Sequence, residues 1–264
     1  MPDYRTIFER VQTTLVRAAS QNMREEAVRS YLDEHKQEKS FTDSDYFDIL
    51  TYVPFYSGMR AATVTERMLT IRKYFADPHV VAGYGSTKIA EMLADPMMLR
   101  HRKKIEACVH NAQRFVEILG QHSTFQGYID SFAPRDSIEN VLQLRTDLMR
   151  RFEYLSKVTS FHFLCKIGMP VIKPDVAIRR IFFRLGLTDG DDESENTISA
   201  VVRQGEALVQ ATGHPHRYVD IVLAHYGQMA TPELNLERGI CLPEKPQCDV
   251  CGVRSLCPFF LNQA

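Results

Sequence analysis

The sequence predicts an all-α protein. Three observations carry that reading. Apolar residues recur at helical spacing in ten separate stretches, capping and stopping residues stand at several of their ends, and strand-like alternation is hard to find. In chain order the stretches are 4–20, 45–52, 63–75, 86–93, 100–119, 138–152, 157–167, 176–185, 197–212 and 218–226. Asp43 or Ser44, Ser86 and Asp175 are read as N-caps of the second, fourth and eighth, because a side-chain oxygen there takes up a free first-turn amide. Gly120, Gly168 and Gly186 are read as stops of the fifth, seventh and eighth, since glycine enters the left-handed conformation that ends a helix. The polar run TDGDDESENT, 188–197, is a loop and a candidate boundary. There is no internal repeat and no low-complexity tract.

At 264 residues the chain is long enough for one or two domains with a substantial core. No apolar run reaches the roughly 18 residues of a membrane span, and the N-terminal MPDYRTIFERVQ lacks the apolar region of a secretory signal. A reducing, intracellular compartment (cytoplasm or nucleoid) is expected, with no membrane partner. Cys108 and Cys165 fall in apolar helical stretches and are read as buried small hydrophobes. The formal net charge is −1, but it is unevenly spread: residues 97–184 hold 15 Lys+Arg against 8 Asp+Glu. Asp189, Asp191, Asp192, Glu193 and Glu195 form the densest acidic stretch. A basic face beside acidic ends binds a phosphate backbone without a high overall pI, although such segregation also arises in proteins that never meet DNA.

The last 24 residues hold Cys241, Cys248, Cys251 and Cys257 in CLPEKPQCDVCGVRSLC, a C-x6-C-x2-C-x5-C run. Pro243, Pro246 and Gly252 keep that run from being one regular helix. Four thiolates so close in sequence can close on a metal centre, and both zinc and a [4Fe–4S] cluster accept four. Zinc sites usually pair two short-spaced knuckles, whereas here one C-x2-C stands between wider gaps. Disulfides or free thiols are the remaining alternative. The spacing resembles the terminal cluster loop of the endonuclease III family of DNA glycosylases, which implies a [4Fe–4S] cluster.

A second block, LSKVTSFHFLCKIGMPVIKPDVAIRRIFFRLGL at 155–187, reads helix, short extended connection, helix, with Pro170 and Pro174 enforcing the extended path. Its Gly168-Met-Pro-Val-Ile-Lys-Pro-Asp175 resembles the G-x-P-x-I-x-x-D of endonuclease III-type enzymes position for position. The stretches FEYLSKVTSFHFLCKIGM (152–169) and MLRHRKKIEACVHNAQRFVEI (98–118) resemble segments of the 3-methyladenine DNA glycosylase I family. Together these likenesses cover roughly residues 45–257. They imply the helix-hairpin-helix DNA glycosylase fold. A helical barrel would span 44–170, with its hairpin at about 145–167, and a discontinuous iron–sulfur domain would comprise 1–43 and 171–264. They also imply a base-excision-repair enzyme acting on double-stranded DNA that contains a damaged base, as a monomer.

The resemblance assigns roles residue by residue. Asp175 falls where these enzymes carry the carboxylate that stabilises a developing sugar cation and orients or deprotonates the nucleophile; read from the residues alone, it is an ordinary N-cap. Lys157, 18 residues earlier, falls where bifunctional members place a Schiff-base lysine, against the plainer reading of a solvated or phosphate-contacting cation. Arg100, Arg102, Lys103 and Lys104 are candidates for phosphate contact, as are Arg150 and Arg151, each also readable as solvated surface. Asn111 and Ala112 are assigned to helix packing.

Two departures from the relatives matter. The hairpin turn Glu153-Tyr154-Leu155-Ser156 has no glycine, so Ser156, through its N–H and hydroxyl, is the candidate phosphate contact in place of bare backbone. Val53 and Ala61 fall where the 3-methyladenine family has its pocket glutamate and stacking tryptophan, and this chain has no tryptophan. Valine cannot accept a hydrogen bond from a purine amine, so that substrate preference does not transfer. Tyr52, Phe55, Tyr56 and His162 are the candidates for a different stacking pocket, against a core role. Met59 or Arg60 occupies the place from which relatives insert a side chain into the vacated base stack. The alternatives to this enzyme are a monofunctional alkylpurine glycosylase, a non-catalytic iron–sulfur DNA-binding or redox module, and a zinc-bound structural protein.

Overall fold

A computed structural model describes residues 2–59 and 61–262, apart from the side chains of Ala61 and Ala62. Helices make up the regular structure. Among the described residues there is no strand, only an isolated antiparallel bridge between Thr231 and Leu236. No helix there is long and apolar enough to cross a membrane. The chain divides into two compact units, Lys39–Met169 and the discontinuous pair Met1–Glu38 with Pro170–Ala264.

The discontinuous unit opens with α1 (Tyr4–Ala19) and α2 (Glu25–Asp33). Asp3 caps α1, which buries Phe8, Val11 and Leu15 along one face. Periodicity misses α2 because only Val28 and Leu32 of its nine residues are buried, too few apolar positions to raise a signal.

The continuous unit comprises α3 (Asp43–Tyr56), α4 (Ala61–Tyr74), α5 (Pro78–Ala82), α6 (Ser86–Ala94), α7 (Arg102–His122), α8 (Phe125–Asp130), α9 (Ile138–Arg151) and α10 (Thr159–Lys166). The 21-residue α7 is its spine, packing against α3, α5, α6 and α8. Phe115 of α7 stacks on Phe125 with ring centroids 4.6 Å apart, and Phe47 and Phe163 close the same cluster. Cys108 and Cys165 are both buried.

Returning to the first unit, α11 (Val176–Arg184), α12 (Glu195–Thr212), α13 (His216–Gly227) and α14 (Pro258–Leu261) complete it. Ile178, Phe182, Val201, Tyr218 and Val222 pack there with Phe8, Val11 and Leu15 of α1.

Several helix ends differ from the sequence reading, each for a local reason. Thr42, not Asp43 or Ser44, caps α3: its hydroxyl takes the Asp45 amide while the Asp45 carboxylate takes the Thr42 amide. Gly85, not Ser86, precedes α6. The helix α7 passes through Gly120, a tolerable loss of about 1 kcal/mol in a long helix, and ends at Ser123 with φ 66°. By contrast Gly168 and Gly186 do sit in the left-handed region, at φ 75° and 67°. The helix α10 begins at Thr159, so Lys157 lies two residues before it rather than in its first turn.

Candidate active site

Asp175 is the N-cap of α11. Its Oδ1 accepts from the amides of Ala177 at 3.0 Å and Ile178 at 3.1 Å, which fixes the side chain against the helix start. Its Oδ2 faces the Lys173 ammonium at 3.4 Å, and the carboxylate remains 23% exposed. The cap reading and the catalytic reading are therefore compatible, because they use different oxygens. The extended segment before it is held from behind. Asp220 of α13, 3% exposed, accepts the Lys173 amide at 2.8 Å and the Arg217 guanidinium at 2.9 Å. Arg179 donates to the Pro174 carbonyl at 2.9 Å and to the Asp191 carbonyl at 3.1 Å, tying the acidic loop to the same corner.

In the continuous unit, the hairpin turn is shaped without glycine. Tyr154 takes the left-handed conformation, φ 62°. Buried Asn111 clamps the turn, donating to the Glu153 carbonyl at 3.0 Å and accepting the Glu153 amide at 2.8 Å. Asn111 is thus more than helix packing. The Ser156 amide donates to Thr159 Oγ1 at 2.7 Å, so it is spent inside the turn and the expected phosphate contact through that N–H is corrected. Lys157 is exposed, and its carbonyl accepts from Arg145 at 3.0 Å.

Arg100, Arg102 and Lys103 are exposed, with Arg102 paired to Glu106 at 3.3 Å. Lys104 corrects the expectation of a fourth DNA-facing cation. It is 3% exposed, and its ammonium donates to the carbonyls of Phe55, at 3.3 Å, and Ser57. Those are the free carbonyls at the end of α3, so Lys104 caps one helix from the start of another. This also lets α3 run past Tyr52, through Pro54, to Tyr56. Burial lowers the Lys104 pKa from its ordinary value.

The pocket candidates separate. Phe55 and Val53 are fully buried, with Phe55 packed 6.2 Å from Phe75, so both belong to the core and Phe55 is withdrawn as a stacking residue. Tyr52, Tyr56 and His162 remain partly exposed and in mutual contact. Tyr52 and Tyr56 meet edge to face at 5.8 Å, and Tyr56 and His162 at 6.3 Å. Met59 is partly exposed in the turn after Gly58, whose φ is 68°. Arg60 and the Ala61 side chain lie outside the described residues.

Cys241, Cys248, Cys251 and Cys257 line one apolar cavity with Ile181, Leu185, Tyr226 and Phe259. None of the four is joined in a disulfide. Tyr226 Oη lies 2.9 Å from Cys251 Sγ, and the Cys257 thiol donates to the Arg184 carbonyl at 3.1 Å. Burial pushes the thiols of Cys241, Cys248 and Cys257 up. Arg180 and Arg184 of α11 hold the loop through the carbonyls of Cys241, Leu242 and Pro243. Among the described residues, no group of three or more His, Cys, Asp or Glu side chains is arranged to hold a single metal ion. One short helix thus carries Asp175 at its start and the cysteine loop along its last turns. Sequence reasoning missed Lys173, Asp220 and the two arginines. The one available signal was a lone acid, Asp220, inside the apolar stretch 218–226.

The model of a protein family described as methyladenine glycosylase matches residues 20–176, ending one residue past Asp175. Among solved structures, 3-methyladenine DNA glycosylase I from Staphylococcus aureus is 23% identical, over 57% of this chain and 89% of that one, with a TM-score of 0.45. Endonuclease III, trapped as a covalent intermediate with DNA, is 17% identical over 90% of this chain and 97% of that one, with a TM-score of 0.55. With more than half its length matched by that family and its helices laid out as in endonuclease III, the chain belongs to the methyladenine glycosylase family and is a DNA glycosylase of the helix-hairpin-helix fold.

Proposed function

We propose that the protein excises a damaged base from double-stranded DNA, with Asp175 as the carboxylate at the reacting sugar. The observation that carries this is the division of labour on Asp175. One oxygen is locked by two backbone amides, and the other faces a cation, the kind of partner that a developing sugar cation replaces. The target nucleotide is flipped out, and its base stacks on Tyr52, Tyr56 and His162. As the C1′–N bond breaks, the base leaves with the bonding pair and positive charge grows on the sugar. Asp175 stabilises that charge and accepts a proton from the water that adds to C1′.

Arg100, Arg102 and Lys103 are assigned to the phosphate backbone, Ser156 to a hydroxyl contact, and Met59 with Arg60 to the gap left by the flipped base. Without a carboxylate at Val53, the pocket has no acceptor for a purine amine from that position, so the substrate class is set by stacking. Lys157 is assigned an accompanying lyase step. Its amine adds to C1′ of the ring-opened abasic sugar with loss of water, and loss of a C2′ proton from the Schiff base then expels the 3′ phosphate as the C3′–O bond breaks.

The donor set fits a [4Fe–4S] cluster: four thiols, no histidine, around one apolar cavity. Zinc also accepts four thiolates, and the two differ in their absorbance. Cys241, Cys248, Cys251 and Cys257 would hold the cluster, which would supply a rigid cross-link to the loop that α11 carries.

A panel of duplexes bearing alkylated, oxidised and deaminated bases, scored for base release with and without alkali, tests the reading. Release that is lost in Asp175→Asn supports it; DNA binding with no release from any duplex, and indifference to Asp175→Asn, points instead to a non-catalytic module. Borohydride trapping on an abasic duplex tests Lys157, and the absence of a Lys157-dependent adduct leaves a monofunctional enzyme. Broad absorbance near about 400 nm separates iron–sulfur from zinc.

A further inference from the structure

Lys173 is not accounted for by the proposed reaction, yet it stands closer to Asp175 Oδ2 than any other described cation, 3.4 Å away. Its position is built. The Lys173 amide is bound at 2.8 Å by Asp220, a carboxylate buried in α13 and itself braced by Arg217 at 2.9 Å. The Asp175 amide in turn donates to the Lys173 carbonyl at 2.8 Å, closing a tight turn between the two side chains. A buried carboxylate that takes a backbone N–H and a guanidinium is a costly feature to keep merely for packing. Here it sets the register of a three-residue segment that ends on the reacting group.

We propose that Lys173, seated by the Asp220–Arg217 pair, is the positioning residue that keeps the free oxygen of Asp175 aimed until the sugar cation takes its place. The inference rests on Asp175 being the reacting carboxylate. The charged groups that act on Asp175 within this unit are Lys173 on its own segment, Arg180 on α11 and Asp220 on α13, while Arg179 holds the Pro174 carbonyl and Arg217 braces Asp220. Of these, Lys173 alone meets Asp175 in an ion pair among the described contacts.

The test compares the full chain with Lys173→Met, Lys173→Arg and Asp220→Asn. Single-turnover base release is measured against duplex concentration, which separates the saturating rate from the concentration at half-maximal rate, alongside thermal melting. In Lys173→Met the saturating rate is expected to fall by roughly 10-fold or more, with the half-maximal concentration and the melting temperature nearly unchanged. Lys173→Arg restores the rate to within a few-fold. Asp220→Asn retains an acceptor for the Lys173 amide, so it is expected to give a smaller fall in the same rate. A saturating rate that is unchanged in Lys173→Met, or an arginine variant as impaired as the methionine one, overturns the proposal. Release that is indifferent to Asp175→Asn overturns the underlying reading instead.

Discussion

Asp175 and Lys104 show how differently two well-marked charged residues behave once folded. The carboxylate performs a cap and still presents an oxygen, so Asp175→Asn, which preserves the cap, is expected to lower single-turnover base release by roughly 10²–10⁴-fold while leaving the melting temperature within a degree or two. Equal loss of stability and activity would show that only the cap matters. Lys104 reads in sequence as one of a run of surface cations, yet it ends under α3, its charge offset by two carbonyls. Lys104→Met is expected to cost about 1–3 kcal/mol of stability, because those carbonyls lose their donor, and to leave affinity for undamaged duplex unchanged. Arg100→Ala, Arg102→Ala and Lys103→Ala are expected to do the reverse. Each should reduce the slope of log affinity against log salt by about one, measured by fluorescence anisotropy, with no effect on melting. A charge cluster is legible in sequence, but which member turns inward is not, because that depends on where α3 ends.

The hairpin turn of the continuous unit and α11 of the discontinuous one each carry candidate site residues. Relatives use glycine at the turn; here Tyr154 adopts φ 62° and Asn111 holds the neighbouring peptide with two hydrogen bonds. The left-handed conformation is an uncommon one for tyrosine and worse for a β-branched residue. Tyr154→Val is therefore expected to lower stability by about 1–2 kcal/mol, and Asn111→Ala by about 2 kcal/mol. Tyr154→Gly should stay near the parent in thermal melts. If Tyr154→Val melts with the parent, the turn carries no strain. The glycine stops at 168 and 186 were readable because a helix end makes a local demand on φ. The extension of α3 through Pro54 was not, because its carbonyls are satisfied by a residue roughly fifty positions away. The nine-residue α11 spans about 14 Å at 1.5 Å per residue, enough to carry Asp175 at one end and the cysteine loop at the other.

For the molecule as a whole, two properties follow from burial. His225 is held well below its ordinary range, at about 4, by burial first and by the nearby His35 and Arg217 charges next. Unfolded, the same imidazole titrates near roughly 6.5, so between about pH 6.5 and 4 the unfolded chain takes up the proton that the native one refuses. Stability from this residue is complete above that window and lost as pH falls through it, by roughly 3 kcal/mol at most. The melting temperature is therefore expected to drop between pH 7 and 4, and the drop should be shallower in His225→Gln; parallel profiles would assign the acid sensitivity elsewhere. On the proposal that Cys241, Cys248, Cys251 and Cys257 hold a [4Fe–4S] cluster, serine in place of any one is expected to abolish absorbance near about 400 nm and to lower the melting temperature, since the cluster would cross-link the loop that Arg180 and Arg184 grip.

Helical periodicity was enough to predict an all-α chain, and the resemblance of the cysteine spacing and the G-x-P-x-I-x-x-D run to known DNA glycosylases pointed to that class and to Asp175 as a candidate, because each is a pattern between near neighbours in the chain. Tertiary structure decided the rest: that Lys104, Val53 and Phe55 are interior, that Tyr52, Tyr56 and His162 stay at the surface together, and that Asp220 seats Lys173 beside Asp175. Burial and long-range hydrogen bonds are properties of packed helices, and no spacing along one helix specifies which neighbour will cover it.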